Sequence, residues 1–220
     1  MRRQEAVERI ERLGLVPVVR APSALLARRA AFAVMAGGID VLEITMTVPD
    51  ALEVLRQLVA DLGDRALVGA GTVLDADTAR ACIAAGARFI VAPGLDLETV
   101  RAAQALDTAV MPGALTPTEV MAAWKAGADM VKIFPCSAVG GPEYVRALKA
   151  PFPRVKLLPT GGVDRQMAAD YIRAGASALG VGTALVDVRV MQSQGDEVLS
   201  ARARELVELV GATRAQLEGR

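Results

Sequence analysis

The sequence predicts one α/β domain with the architecture of a (β/α)8 TIM barrel, preceded by an extra N-terminal helix. Three observations support this prediction: short apolar segments alternate with longer amphipathic ones, the alternation repeats eight times, and the joints between the segments are short. The apolar segments are hydrophobic on both faces, which is typical of parallel strands that are buried on both sides. An open, doubly wound sheet is the alternative, but it usually has fewer strands and a clearer dinucleotide-binding signature.

A single domain covering residues 1–220 is predicted, because no linker or low-complexity segment interrupts the repeats. The first element lies within MRRQEAVERIERLG, which mixes acidic residues with arginines and lacks an apolar core. This composition predicts an amphipathic helix rather than a targeting peptide. The eight predicted strands follow at 15–20, 39–45, 66–72, 88–94, 108–113, 129–135, 155–162 and 178–183.

The predicted helices have recognisable beginnings and ends. Ser23, Asp75 and Asp164 are N-cap residues of the preferred types, and the glycines in AGGID, AAGAR, KAGAD and RAGAS supply left-handed C-caps. The helices are expected at 23–35, 49–62, 75–85, 96–106, 117–126, 142–149, 164–174 and 196–216. Because the strands are parallel, their carboxyl ends meet at one end of the barrel, where the active site of this architecture lies.

The composition excludes several classes of function. Lysine and arginine together number 25, as do aspartate and glutamate, so there is no basic excess for binding nucleic acid or an anionic membrane surface. The chain has no histidine, and its two cysteines, Cys82 and Cys136, are far apart. Zinc sites depend on these residue types, so no metal site is predicted. The sparse cysteines favour a reducing, cytoplasmic location, and Cys136 is interpreted as an ordinary thiol.

Lys132 and Glu43 are the predicted catalytic pair. Each lies inside an apolar predicted strand, near its carboxyl end. Strand side chains alternate in direction, so Met130, Lys132 and Phe134 are expected to share the inner face that Glu43 also occupies. Burial favours the neutral form of a lysine, and a neutral amine attacks a ketone to form a Schiff base while a carboxylate transfers protons. A structural ion pair is the alternative, although a buried pair rarely stabilises a fold more than apolar packing does.

Two glycine-rich motifs predict a phosphate site. TGG, with Gly161 and Gly162, follows the seventh strand, and GVGT, with Gly182 and Thr183, ends the eighth. Barrels of this type bind phosphate at these two positions through backbone N–H groups that glycine leaves accessible. Arg20, at the end of the first strand, adds a positive charge. Ordinary tight turns between barrel elements are the alternative.

Three further residues stand at strand ends. Thr72, which follows Gly71 in GAGT, is either a substrate contact or a packing and capping residue. Phe134 is expected to supply an apolar wall beside the lysine. The residues alone predict only a turn-shaping role for Pro93.

Long segments of the sequence resemble a known enzyme family. VLEITMTVPDA, VGAGTVLDADTARACIAAGARFIVAPGLD, MPGALTPTEVMAAWKAGADMVKIFP and PFPRVKLLPTGGV are similar to the class I aldolases that cleave 2-keto-3-deoxy-6-phosphogluconate (KDPG), from about Leu15 to Val186. The resemblance implies reversible cleavage to pyruvate and glyceraldehyde 3-phosphate in the Entner–Doudoroff route. It also implies cleavage of 4-hydroxy-2-oxoglutarate (KHG) to pyruvate and glyoxylate, a homotrimer, and no metal or organic cofactor.

The resemblance also implies roles for individual residues. Lys132 matches the Schiff-base lysine, Glu43 the proton-shuttling glutamate, and Thr72 the threonine that holds the pyruvate carboxylate. Thr160 matches a threonine associated with the gluconate-derived substrate, where galactonate-specific relatives carry an apolar residue. The other matching positions are the pocket walls Phe134 and Pro93 and the phosphate-end residues Arg20, Gly161, Gly162 and Thr183.

One position departs from the pattern of some family members. Thr47 replaces an arginine that lies near the substrate carboxylate in those members, which affects the expected anchoring of that group. The galactonate-epimer aldolase is therefore kept as an alternative function. A phosphosugar isomerase or epimerase with Glu43 as the base, and a phosphometabolite-binding barrel without turnover, are the alternatives from other classes.

Overall fold

Helices and parallel strands alternate along the chain in the computed structural model, which describes residues 2–219. The strands are β1 (Leu15–Val19), β2 (Val41–Thr45), β3 (Leu67–Gly71), β4 (Phe89–Val91), β5 (Ala109–Met111), β6 (Gly113–Ala114), β7 (Val131–Ile133), β8 (Leu157–Pro159) and β9 (Leu179–Val181). The α-helices are α1 (Arg3–Leu13), α2 (Ala24–Ala36), α3 (Ala51–Leu62), α4 (Ala76–Ala84), α5 (Leu97–Ala105), α6 (Pro117–Lys125), α7 (Pro142–Lys149), α8 (Arg165–Arg173), α9 (Val188–Gln194) and α10 (Glu197–Glu218). The predicted order of elements is confirmed, including the N-terminal helix.

Two local departures from the predicted elements have simple causes. Pro112 separates β5 from β6 because proline has no backbone N–H with which to continue a ladder. The predicted fifth strand is therefore two short strands. Helix α9 is an additional helix, and Asp187 caps it by accepting bonds from the N–H groups of Arg189 (3.0 Å) and Val190 (3.1 Å).

The strands form two parallel hydrogen-bonded groups. The larger group has the order β5-β4-β3-β2-β1-β9 and curls into a half-barrel, and the smaller has the order β6-β7-β8. A parallel bridge between Thr160 and Gly180, and a bond from the Ser177 N–H to the Leu157 C=O (2.9 Å), connect the two groups on one side. The α/β class with parallel strands is confirmed, but within residues 2–219 the predicted eight-stranded ring is not one uninterrupted ladder.

Two apolar clusters lie on opposite faces of the strands. The inner cluster fills the space that the strands enclose and consists of Ala6, Val7, Ile10, Val16, Val41, Leu67, Phe89, Val91, Ala109, Met111, Met130, Leu158 and Ala178. Its first three members come from α1, which therefore covers the amino ends of the strands. The outer cluster packs the helices against the other face of the strands.

Strand parity decides which side chains enter the enclosed space. In β2, Val41 belongs to the inner cluster, whereas Leu42 and Ile44 belong to the outer one, so Glu43 points inward. In β7, Val131 and its second neighbour Ile133 are outer residues, so Lys132 also points inward. The amino half of the enclosed space is thus apolar, and ionisable groups appear towards the carboxyl ends of the strands.

Candidate active site

A cavity of about 880 Å³ opens at the carboxyl ends of the strands. The structure places every predicted catalytic and substrate-binding residue along its wall: Arg20, Glu43, Thr72, Pro93, Lys132, Phe134, Thr160, Gly161, Gly162, Gly182 and Thr183. These residues are contributed by seven different strands or the loops that follow them. The residues predicted for the site therefore line one cavity, while their individual roles stay predictions.

Lys132 lies on the floor of this cavity and is held by strands on both sides. It is paired with Gly113 of β6 and with Leu158 of β8, and its N–H donates to the Pro112 C=O (2.9 Å). Only 5% of the residue is exposed, and its Nζ lies 5.1 Å from the centroid of the Phe134 ring. The ring forms a wall beside the amine and offers it no carboxylate partner.

Glu43 is the second ionisable group on the floor, and it is 1% exposed. Its side chain passes directly over Gly71, where a Cβ atom would lie 1.8 Å from Oε1. Glycine is therefore required opposite this carboxylate. Oε1 is buried and has no hydrogen-bond partner among the described residues, which leaves it free for a water or a substrate hydroxyl.

The electrostatic environment of Glu43 combines opposing effects. Burial raises the pKa of Glu43, and the positive charges of Lys132 and Arg20 oppose that rise. No carboxylate lies within 4.0 Å of the Lys132 amine in residues 2–219, so the two groups are neighbours without a direct ion pair. This arrangement suits proton transfer through a water or a substrate better than it suits a purely structural salt bridge.

Thr72 occupies the end of β3 with a strained backbone. Its φ is 58°, in the left-handed region that a β-branched residue rarely adopts. The preceding strand residue, Gly71, leaves space for Glu43, so Thr72 begins the turn immediately above the floor of the cavity. Strain of this kind persists where the side chain is needed in one place, which supports a ligand-binding role for Thr72.

Thr47 has a structural environment of its own outside the cavity wall. Its Oγ1 lies 2.8 Å from the Oγ1 of Thr45, which also donates to the Val19 C=O (3.1 Å). The two threonines thus tie the end of β2 to the end of β1, directly before Arg20. At the position of the family arginine, this chain has a threonine that contacts Thr45 of the same segment in place of a cation.

The outer edge of the cavity, called the rim below, is built from loops whose backbones pack closely against one another. Gly161 and Gly162 have φ values of 85° and 75°, and a Cβ at Gly162 would lie 2.3 Å from the Ser137 side chain. The Ser137 N–H donates to the Gly161 C=O (3.1 Å), which fixes this loop against the one that follows β7. Neither glycine places a side chain between its backbone and the cavity, which suits the close approach of an anion to backbone N–H groups.

The side chains of Thr160 and of the two cysteines are buried, so they are less accessible to a ligand than the residues of the rim. Thr160 is buried, its Oγ1 donates to the Leu158 C=O (3.3 Å), and its side chain packs on Gly180. Burial raises the pKa of the Cys136 thiol and raises that of Cys82 to about 11, so neither is a thiolate nucleophile.

Among the described residues, no group of three or more His, Cys, Asp or Glu side chains has the arrangement of a metal site. None of their helices is long and apolar enough to cross a bilayer.

The sequence-based reasoning missed a group of polar residues on the outer wall. Arg165 and Gln166 of α8, Asp187 before α9, and Arg202 and Glu205 of α10 also line the cavity. Sequence reasoning searched the strand ends, whereas most of these side chains come from helices. The sequences of these helices contain no local signal that distinguishes the cavity-lining side chains from ordinary exposed charged residues.

Comparison with known sequences identifies a family of aldolases. The sequence matches the family described as KDPG and KHG aldolase over residues 7–200. It is 30% identical over 207 residues to the 2-dehydro-3-deoxy-phosphogluconate aldolase of Haemophilus influenzae, covering 94% of this chain and 97% of that protein. It is 39% identical over 154 residues to the 2-dehydro-3-deoxy-6-phosphogalactonate aldolase of Escherichia coli, covering 70% and 75%.

A solved structure extends this similarity to three dimensions. The KDPG aldolase from Legionella pneumophila, with pyruvate captured at low pH as a covalent carbinolamine intermediate, superposes with a TM-score of 0.84 at 29% identity. The match covers 91% of this chain and 97% of that one. Sequence and structure are therefore similar over nearly the whole length of both chains.

Proposed function

The chain belongs to the family of KDPG and KHG aldolases, which are carbon–carbon lyases, and we propose that it cleaves KDPG to pyruvate and glyceraldehyde 3-phosphate. The observation that carries this proposal is the floor of the cavity, where a buried Lys132 lies near a buried Glu43 that has a free oxygen. KHG, cleaved to pyruvate and glyoxylate, is the proposed second substrate.

Schiff-base formation is the first part of the proposed reaction. The neutral Nζ of Lys132 attacks C2 of the 2-keto acid, and the carbonyl oxygen is protonated to give a carbinolamine. Loss of that oxygen as water leaves a protonated imine. Glu43, directly or through a water, moves the protons in both steps, because its Oε1 has no hydrogen-bond partner within residues 2–219.

Bond cleavage follows from the positive charge on the imine nitrogen. Glu43 or its water takes the proton of the C4 hydroxyl, C4 becomes a carbonyl carbon, and the electrons of the C3–C4 bond move into the imine to form an enamine. Glyceraldehyde 3-phosphate leaves, the enamine is protonated at C3, and hydrolysis releases pyruvate and the free lysine. The imine is the electron sink, so EDTA-treated protein is expected to keep full activity.

Binding contacts at the two ends of the substrate complete the proposal. Thr72 holds the carboxylate, and Pro93 and Phe134 form the walls beside the reacting carbons. The phosphate lies at the rim among Arg20, Gly161, Gly162, Gly182 and Thr183. Binding energy at this remote group positions C2 over Lys132 and lowers the barrier to the chemical steps.

The test is a cleavage assay coupled to lactate dehydrogenase, which consumes the pyruvate released. Parallel kcat/KM values are measured for KDPG, its galactonate epimer and KHG. The proposal predicts pyruvate from KDPG and none from the Lys132→Met variant. Turnover of a phosphosugar without pyruvate release would contradict it and favour the isomerase or epimerase alternative.

The galactonate epimer is the second candidate substrate, supported by the 39% identity to the Escherichia coli phosphogalactonate aldolase. Thr160 on the cavity wall supports the gluconate epimer, because relatives specific for galactonate carry an apolar residue there. A Thr160→Val variant is expected to shift the ratio of kcat/KM values towards the galactonate epimer. An unchanged ratio would remove Thr160 as the basis of the preference.

We infer further that the strands close into one (β/α)8 barrel, with β5 and β6 counting as one strand. The Thr160–Gly180 bridge and the Ser177 N–H bond to Leu157 support closure between β8 and β9. Slow amide exchange at Ser177, whose N–H donates across this junction, is expected to be comparable to that in β2. Exchange as fast as in exposed loops would contradict closure.

A homotrimer is the proposed assembly. Large apolar side chains are exposed on several helices and joints, among them Leu25, Leu74, Leu97, Met121 and Trp124, and they are candidates for burial in subunit contacts. The threefold number rests on the family resemblance. Sedimentation equilibrium is expected to give three times the chain mass of 23.0 kDa, and a monomer mass would contradict the proposal.

The proposed location is the cytoplasm. Both cysteines are free and buried, and the relatives named above are enzymes of sugar-acid metabolism. Fractionation of the native cells should recover the protein with cytoplasmic marker enzymes, and recovery with an extracellular or envelope fraction would contradict this.

A further inference from the structure

Arg202 lines the cavity although it lies on a helix and not at the end of a strand. It belongs to α10, yet it shares the cavity wall with Gly182 and Thr183 of the loop after β9. The side chain is half-buried. Its Nη1 lies 3.5 Å from the C=O of Ala184, the residue next to Thr183. A cation is therefore held beside the loop that the proposed function assigns to the phosphate.

The strand register places Arg202 and Arg20 around the same space. Strands β1 and β9 are parallel neighbours, with Pro17 opposite Val181. Arg20 and Ala184 each follow their paired residue by three positions, so both stand just beyond the carboxyl ends of adjacent strands. Because Arg202 contacts Ala184, the two guanidinium groups flank the outer end of the cavity.

The charge of Arg202 is not neutralised by a direct partner. No carboxylate within residues 2–219 lies closer than 4.0 Å to its guanidinium, whereas Arg165 on the same wall pairs with Glu205 at 3.2 Å. Two further carboxylates of the wall are engaged as helix caps. Asp164 accepts a bond from the Met167 N–H (2.9 Å), and Asp187 caps α9. An unpaired cation facing a cavity is a suitable partner for an anionic ligand.

The helix that carries Arg202 is firmly anchored. Ser200 Oγ donates to the Ala33 C=O of α2 (2.7 Å). At Gly37, directly after α2, a Cβ atom would lie 2.3 Å from the Ser200 C=O and 2.4 Å from the Ala203 side chain. This close approach of the two helices fixes the backbone on both sides of residue 202, so the helix that carries the cation is positioned before a ligand arrives.

We propose that Arg202 binds the phosphate of the substrate together with Arg20 and makes the enzyme select phosphorylated over unphosphorylated 2-keto acids. The inference rests on the proposed function and adds a specificity-determining residue to it. KDPG reaches from Lys132 to the rim and carries a phosphate at its far end. KHG is shorter and ends in a carboxylate, so it does not reach Arg202.

The first test compares Arg202→Gln with Arg204→Gln, an exposed arginine on the same helix that does not line the cavity. For Arg202→Gln we expect kcat/KM for KDPG to fall about tenfold or more, mainly through KM, because a charge-assisted hydrogen bond is lost. The value for KHG should stay within about twofold, and Arg202→Lys should restore part of the loss. Arg204→Gln should leave kcat/KM unchanged for both substrates. Equal losses for KDPG and KHG, or no loss for KDPG, would overturn the inference.

A second test does not depend on turnover. Binding of glycerol 3-phosphate, measured by titration calorimetry, should be about tenfold weaker in Arg202→Gln than in the unaltered protein or in Arg204→Gln. Unaltered binding would overturn the inference. If the unaltered protein binds this phosphate but cleaves no 2-keto acid, the proposed function fails while the role of Arg202 in phosphate binding holds.

Discussion

The floor and the rim of the cavity are built by different means. On the floor, Lys132 and Glu43 are almost completely buried, extend from hydrogen-bonded strands and lie over an apolar core. At the rim, Arg20, Gly162 and Thr183 are exposed and belong to loops. The floor places few polar groups in a dry environment, whereas the rim presents backbone N–H groups and long cationic side chains to solvent.

This difference separates chemistry from recognition. A carboxylate without a partner in a buried site interacts strongly with nearby charges, because little water screens it. The same charge at the rim is screened by solvent and salt. Changes to the floor should therefore affect kcat strongly, while changes to the rim should affect KM moderately and in a salt-dependent way.

The largest expected effect is that of Lys132→Met. Removal of the nucleophile should lower kcat/KM by about 10⁴-fold or more, because no other lysine of residues 2–219 lines the cavity. Methionine has a similar volume and suits the surrounding apolar residues, so the variant should unfold at or above the temperature of the unaltered protein. Lys125→Met on α6, away from the cavity, should retain full activity. Substantial turnover by Lys132→Met would show that the floor does not act through this amine.

Gly71→Ala tests the floor without altering an ionisable residue. The added methyl group would collide with Glu43 Oε1, so the carboxylate must move. We expect kcat to fall by about 10² to 10³, as for loss of a general acid–base. Gly94→Ala is the matched control, because nothing lies within 4 Å of its Cβ position. Equal activity of the two variants would show that the position of Glu43 is unimportant.

The pH dependence reports on Glu43 directly. The carboxylate accepts a proton only when it is ionised, and burial raises its pKa, so kcat/KM should decline on the acid side at a pH above the ordinary glutamate value of about 4.3. Arg20 opposes that rise, so Arg20→Gln should move the acid limb to still higher pH. High salt should diminish this shift, since Arg20 is exposed. A shift to lower pH would have the wrong sign for a through-space charge effect.

The smallest expected effect concerns stability at the junction of floor and rim. Thr72→Gly relieves the left-handed strain of a β-branched residue and should stabilise the fold by about 1 kcal/mol, measured as the free energy of unfolding in urea. The same variant loses the hydroxyl and should bind pyruvate more weakly. Destabilisation by Thr72→Gly would mean that Thr72 serves packing instead of binding.

Strand parity made much of the site predictable from the sequence. A charged residue between Val131 and Ile133 in an apolar strand is explained only by an inward direction at the carboxyl end of the strand, and Lys132 lies there. The close approach of Glu43 to Gly71 was not predictable, since it depends on the register of β2 against β3. Arg202 was missed for a related reason, because it reaches the rim through the packing of α10 on α2 and α8.

The most direct test of the account is reduction with borohydride in the presence of pyruvate, followed by peptide mass spectrometry. The account predicts a pyruvate-derived adduct on the peptide containing Lys132, formed in the unaltered protein and in Arg202→Gln but not in Lys132→Met. An adduct on another lysine, or an active enzyme that gives no adduct at all, would contradict the central claim that this buried amine forms the Schiff base.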